Sequence, residues 1–405
     1  MSLGKRIDDL AILGGKPEFE YKLHVGRPNI GDREAFLARV NDMLDRKWLS
    51  NNGPYVQEFE ARIAETLGVK HCVVMCNATL ALEIAVRALG LSGEVIVPGF
   101  TAAATPHSLQ WQYITPVFCD IKYATHNIDP DRVEDMITPR TTGILAVHLW
   151  GRPCDVEALQ EIADRRGLKL LFDAAHAFGC TYKGKMIGGF GECEILSFHA
   201  TKFLNSFEGG AVVTNDANLA HKARLMKVYG FEGPDNVIYI GTNAKMSEVC
   251  AAMGLTSLEC LDDLISAYRA NYLHYRKELA GIPGVSCIVY DDAVEKCNYQ
   301  YLAVEVDGQT AGISRDLLVR LLHAENVLAR RHFYPGCHKM EPYKSLFPHA
   351  GLLLPETEKL AARIMLLPTG TAVNVDEISR VCAIIRTAVE NGPEITDRLN
   401  AQSGG

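Results

Sequence analysis

Short apolar runs that alternate with amphipathic stretches constrain this chain more than any other feature. Residues 70–76, 94–98, 116–120, 142–148 and 168–172 are runs of this kind, and residues 56–67, 80–89, 132–137, 155–166 and 219–228 read as the intervening helices. Apolar runs this continuous belong to strands covered on both faces, and strands interleaved with helices of this length make a parallel sheet. The expected fold is therefore α/β, with a mostly parallel sheet and its chemistry at the carboxyl ends of the strands. The 405 residues suffice for two domains. Residues 1–25 read as a loosely held arm, 26–264 as the large domain, 265–391 as a smaller α/β domain, and the polar residues 392–405 as a disordered tail. Within these, residues 32–46 form a helix with Phe36, Val40 and Leu44 on one face, residues 247–264 a second helix, and a long helix continues to 279.

Two polar residues stand out against this pattern. The run Leu168-Lys-Leu-Leu-Phe ends in Asp173, so a carboxylate is delivered at the carboxyl end of a buried strand. Downstream, Ser197-Phe-His-Ala-Thr-Lys202 places one lysine among small and hydroxylated residues, before a Glu208-Gly-Gly210 turn. A lysine in such a setting loses hydration, which favours the nucleophilic amine that condenses with carbonyls. A strand-end aspartate and such a lysine are the two groups that pyridoxal phosphate requires. The carboxylate keeps the pyridine nitrogen protonated, and the lysine carries the aldehyde. Asn77-Ala78-Thr79 lies between an apolar strand and a helix, where backbone N–H groups and the positive end of the helix dipole form an anion site suited to the cofactor phosphate. Each feature also has a plainer reading, as a surface lysine or an ordinary helix cap.

Composition narrows the partners. A net charge of −8 and a pI near 5.9 leave no basic face to track a phosphate backbone, so nucleic acid is not expected. No apolar run is long enough to span a bilayer, and acidic residues stand where a signal peptide needs its apolar core, so a cytoplasmic enzyme is expected. The twelve cysteines are dispersed, mostly in apolar contexts, and read as reduced core residues with no metal site. Gly184-Lys-Met-Ile-Gly188-Gly189-Phe-Gly191 lacks the spacing of either nucleotide-binding loop and reads as a hairpin.

Together with Val97-Pro-Gly-Phe-Thr101, Thr138-Pro-Arg-Thr-Thr142, His148-Leu-Trp-Gly151 and Gly241-Thr-Asn-Ala-Lys-Met246, these segments resemble the DegT/DnrJ/EryC1/StrS family of nucleotide-sugar aminotransferases, in order from about residue 27 to 385. The resemblance implies a fold type I, aspartate aminotransferase-like architecture and a homodimer with shared sites. It assigns Lys202 and Asp173 to catalysis. Asn77, Ala78, Thr79 and Ser197 would hold the cofactor phosphate, joined by Asn243 reaching from the neighbouring subunit, with His176 and His199 as further cofactor contacts. Lys245, Arg331, His332 and Tyr334 fall near the substrate.

The implied reaction moves an amino group from glutamate to a dTDP-4-keto-6-deoxyhexose. Its product is a dTDP-4-amino-4,6-dideoxyhexose for a natural product, such as an antibiotic, or a surface glycan. Alternatives are amination at C3, a dehydratase, which Lys202 in place of histidine disfavours, and a sensor without catalysis. Three positions depart from the family pattern: Ala78 stands for glycine, Ala102 for the aromatic that covers the pyridine ring, and Lys245 for arginine. Phe100 or Trp150 could replace the missing ring, or the site could be more open.

Overall fold

The computed structural model describes residues 5–403. Seven strands form one sheet in the order His71–Met75, Gly210–Thr214, Cys193–Ser197, Lys169–Asp173, Thr141–Val147, Glu94–Pro98 and Thr115–Cys119. Gly210–Thr214 is antiparallel to both of its neighbours, and the other pairs are parallel. Six strands thus point one way.

Consecutive side chains explain why these runs carry no polar face. Val95, Val97, Leu145 and Leu171 pack on one side of the sheet with Ala81, Leu82 and Ala85 of the helix Ala78–Ala88. Ile96, Ile144, Ala146, Leu170 and Phe172 pack on the other with Leu159 and Ile162 of the helix Val156–Arg166. Each fully buried aliphatic chain contributes about 1.5–3 kcal/mol, and a strand buried on both faces gathers that contribution at every position. The expected hairpin is present, with Thr181–Tyr182 antiparallel to Lys185–Met186.

A second sheet of three antiparallel strands, Val285–Cys287, Leu302–Val306 and Ile364–Leu367, is covered by the helices Leu261–Leu279, Arg315–Ala324 and Val375–Glu390. The helix expected over 247–264 instead ends at Glu259, and a new one starts at Leu261, with Cys260 between them. The helix Arg33–Arg46 forms as expected with Asp32 as its cap, but Met43 is its buried residue. Leu37 and Leu44, with the following Trp48 and Leu49, remain exposed.

Both ends of the chain differ from expectation, through long-range contacts that local composition does not encode. The residues expected to form a loose arm are anchored: Leu10, Phe19 and Leu23 are buried, and Leu23–His24 pairs in parallel with Val327–Leu328. At the centre of this anchor, the buried Glu325 accepts from Lys5 Nζ, the Ala11 N–H and the Glu18 N–H, each at 2.7 Å. The tail expected to be disordered is the helix Gly392–Ser403. It docks through the buried Ile395, with Leu399 packed on the same cluster, and Arg398 pairs with Asp8 at 2.8 Å. Residues 1–4 and 404–405 lie outside the described residues.

Replacing Glu325 by alanine strands two backbone N–H groups and removes the nearest counter-charge of Lys5. Glu325→Ala is expected to lower stability by about 2–4 kcal/mol in denaturant titration. Limited proteolysis is expected to cut the variant first within residues 5–24.

Candidate active site

The carboxyl ends of the parallel strands meet the loop 198–209 around a cavity of about 250 Å³. Asn77, Ala78, Thr79, Asp173, His176, Ser197, His199 and Lys202 all line it, as do Thr101, Ala102, Glu208, Gly209 and Phe333. Eight residues named from sequence as cofactor contacts therefore converge, although they come from three separate segments.

One end of the cavity is the start of the helix Ala78–Ala88. Asn77 caps it by accepting from the Leu80 N–H at 2.8 Å. The helical N–H groups of Ala78 and Thr79 belong to the first turn and have no intrahelical partner. The cap and the anion site coexist. Gly210 passes directly beneath, where a Cβ would lie 2.4 Å from the Ala78 nitrogen. A side chain there would push the helix start away from Ser197.

Asp173 is nearly inaccessible, at 5% exposure, and holds two neutral donors. Thr105 donates to Oδ2 at 2.9 Å and the Ala175 N–H to Oδ1 at 3.1 Å. Burial raises the carboxyl's pKa, while these two bonds and the nearby Lys202 pull it back. Lys202 is half-buried, and its Nζ donates to the Tyr301 hydroxyl at 3.1 Å.

A group of rings closes the cavity from the side of the smaller sheet. Phe333 lies parallel to His176, 5° between planes with centroids 6.1 Å apart, and Tyr301 sits 4.5 Å from His176. Both imidazoles are held neutral: burial pushes His176 well below its usual range, and with the cations Lys202 and Arg330 pushes His332 down to about 3. The Nε2 of His332 has no hydrogen-bond partner among the described residues. Trp150 and Phe333 both take a left-handed backbone, at φ 61° and 53°. Bulky residues hold that conformation only under strong tertiary constraint, a pattern concentrated at functional sites.

The open question of which ring faces Ala102 now has a structural answer. Phe100 and Trp150 are buried behind the wall, packed on Phe333 at 5.4 and 6.0 Å, and Phe333 is the ring that reaches the cavity. Sequence reasoning missed Phe333 although its neighbours Arg331, His332 and Tyr334 were named. It also missed Tyr301, which immediately precedes an ordinary apolar strand, and Glu208, hidden in a glycine turn.

Five named residues lie outside this cavity. Asn243 is exposed beside the bridge it forms with Val228, and Lys245 stands over the Tyr229 ring at 5.3 Å. Arg331 pairs with Asp316 at 3.4 Å and covers the ring of the exposed Tyr334 at 4.6 Å. His332 packs among the rings behind Phe333. Among the described residues no cluster of metal ligands is found, and no helix is long and apolar enough to cross a membrane.

Chemically, the arrangement offers an anion site at one end, a buried carboxylate and an amine beside a hydroxyl. Comparisons with known proteins agree with that reading. The model of the DegT/DnrJ/EryC1/StrS aminotransferase family matches residues 31–386. The crystal structure of DesI in the presence of its TDP-sugar product is 50% identical, with a TM-score of 0.93, covering 97% of this chain and 100% of its own. The dTDP-4-amino-4,6-dideoxy-D-glucose transaminase of Shigella dysenteriae is 36% identical over 367 residues, 91% of this chain and 99% of the relative. The GDP-perosamine synthase of Vibrio cholerae is 32% identical over 351 residues, 86% and 94% of the two chains.

Proposed function

Because the chain belongs to the DegT/DnrJ/EryC1/StrS aminotransferase family and is a pyridoxal-phosphate-dependent sugar aminotransferase, we propose that it carries an amino group from glutamate to C4 of dTDP-4-keto-6-deoxyglucose. The product is a dTDP-4-amino-4,6-dideoxyhexose, made in the cytoplasm for a natural product or surface glycan. One observation carries the choice of substrate: the full-length likeness to DesI, described with a TDP-sugar product, at 50% identity. The name of the Shigella relative places its amine at C4. The Vibrio relative, named for a GDP sugar, is less similar.

The cavity residues fit the cofactor. A helix start over a glycine that tolerates no Cβ suits the phosphate, with Ser197 alongside, and the buried Asp173 suits the ring nitrogen. Pyridoxal phosphate, when bound, supplies the electron sink that lets a carbon next to nitrogen lose its proton. Lys202 Nζ takes that proton from the donor's α carbon and returns it on the other side of the transfer. The Tyr301 hydroxyl, 3.1 Å away, holds the freed amine over the reacting carbon. Phe333, which lines the cavity with Ala102, would cover the cofactor ring in place of the aromatic missing at Ala102. His332, neutral and packed behind Phe333, backs that phenyl ring. Arg331 and the exposed Tyr334, outside the cavity, are candidates for contacts to the diphosphate.

A second copy completes this site in the reading proposed here. Asn243 and Lys245 lie outside the cavity of their own chain, on a stretch that follows exposed Tyr229, Phe231, Val237 and Ile240. Beside the loop of Lys202, Phe207 packs on Phe36 of a helix whose Leu37 and Leu44 lack cover. An apolar surface of this kind marks an interface.

Incubating the purified holoenzyme with glutamate and dTDP-4-keto-6-deoxyglucose is expected to yield 2-oxoglutarate and one 4-amino sugar nucleotide, identified by mass and NMR. The GDP analogue is expected to react at least tenfold less efficiently. An amine at C3, or no aminated product, contradicts the assignment. In the same assay Tyr301→Phe is expected to keep its bound cofactor and lose about tenfold or more in kcat.

A further inference from the structure

Asp173 is held by groups that the reaction itself does not employ. Thr105 is completely buried and does not line the cavity, yet its hydroxyl lies 2.9 Å from Asp173 Oδ2 and 2.9 Å from the hydroxyl of Thr101, itself 1% exposed. The direction of this chain is fixed by valence. An ionised carboxylate only accepts, so Thr105 spends its one proton on Asp173 and must accept from Thr101. The result is a run of two hydroxyl dipoles, Thr101 to Thr105 to Asp173, pointing positive ends at a carboxylate.

We propose that Thr105, backed by Thr101, is a positioning residue that keeps Asp173 ionised and aimed at the cofactor ring nitrogen. The proposal rests on the reading that Asp173 partners that nitrogen. Neutral donors suit the task better than a cation. An arginine or lysine on Oδ2 would neutralise the carboxylate and compete with the protonated ring nitrogen, whereas a hydroxyl lowers the cost of the buried charge and leaves it available.

The Ala175 N–H is the other direct donor to this carboxylate. The charged or titratable groups that face Asp173 are Lys202 and His148, with the neutral His176 on the adjoining turn. His148 accepts from the Cys154 N–H through Nδ1, so its Nε2 proton faces Glu194, 3.3 Å away but misaligned for a hydrogen bond. That imidazole faces another carboxylate.

The sign of the effect follows. Burial already raises Asp173, and the Thr105 bond is one of the interactions that lower it. Removing the bond raises the carboxyl further, so the active, ionised form is lost at higher pH as conditions turn acid. Valine is nearly isosteric with threonine and keeps the packing.

The test uses Thr105→Val, Thr105→Ser, Thr101→Val and Asp173→Ala holoenzymes. Their readouts are cofactor retention on dialysis between pH 5 and 8 and the acid limb of the kcat/KM profile. The proposal expects the acid limb of Thr105→Val to move up by about one pH unit, cofactor loss to begin at correspondingly higher pH, Thr105→Ser to restore both, and Thr101→Val to shift them less. An unshifted limb and unchanged retention in Thr105→Val, while Asp173→Ala releases cofactor, overturn the relay alone. If Asp173→Ala retains cofactor as the parent does, the reading beneath the relay falls with it.

Discussion

A carboxylate kept charged while almost wholly shielded from water is the constraint on which this structure turns. Asp173 sits at the end of a central strand, with Phe172 and Leu171 buried on opposite faces beneath it. Isolating an ionised carboxylate in such a place is costly unless donors or an opposite charge stand nearby. The fold supplies the donors: a hydroxyl from the residues after the strand Glu94–Pro98, one strand removed, and a backbone N–H from the turn after Asp173 itself. The remaining charge is available to a protonated ring, and the lysine, the helix start and Phe333 are placed around the same space.

The rest of the architecture can be understood as support for that placement. Parallel strands bring their carboxyl ends to one edge, so Asp173, Ser197 and the residues after Val97 converge without any of them being close in sequence. The reversed strand Gly210–Thr214 returns from the loop of Lys202 and passes under the start of the helix Ala78–Ala88. That crossing permits glycine and little else. It ties the lysine loop to the anion site, so the two ends of the cavity are held at a set separation. The smaller sheet contributes a lid of rings, delivered by Tyr301 and by the strained backbone at Phe333.

What could be read from the chain alone was whatever local pattern encodes. The apolar runs marked the strands, Asp173 and Lys202 stood out against them, and Asn77 to Thr79 carried the signature of a helix start. Tyr301 is 99 residues from Lys202 and immediately precedes an unremarkable strand, so nothing near it announced the contact. Thr105 lies 68 residues from the carboxylate it serves, inside a helix beginning at Ala104 that has no strong signal of its own. The same limit explains the chain ends: a polar sequence such as 392–403 folds as a helix because Ile395 finds a core built by distant residues. Asn243 and Lys245 belong to a different class, since the geometry of one chain leaves them outside the cavity.

The account stands or falls on the chemistry of one nitrogen. Treating the pyridoxal-phosphate-loaded protein with borohydride and mapping its peptides measures which side chain carries the cofactor. A stable pyridoxyl label on Lys202 and on no other residue is the predicted result. A label on another lysine, or none in protein that has bound the cofactor, contradicts it.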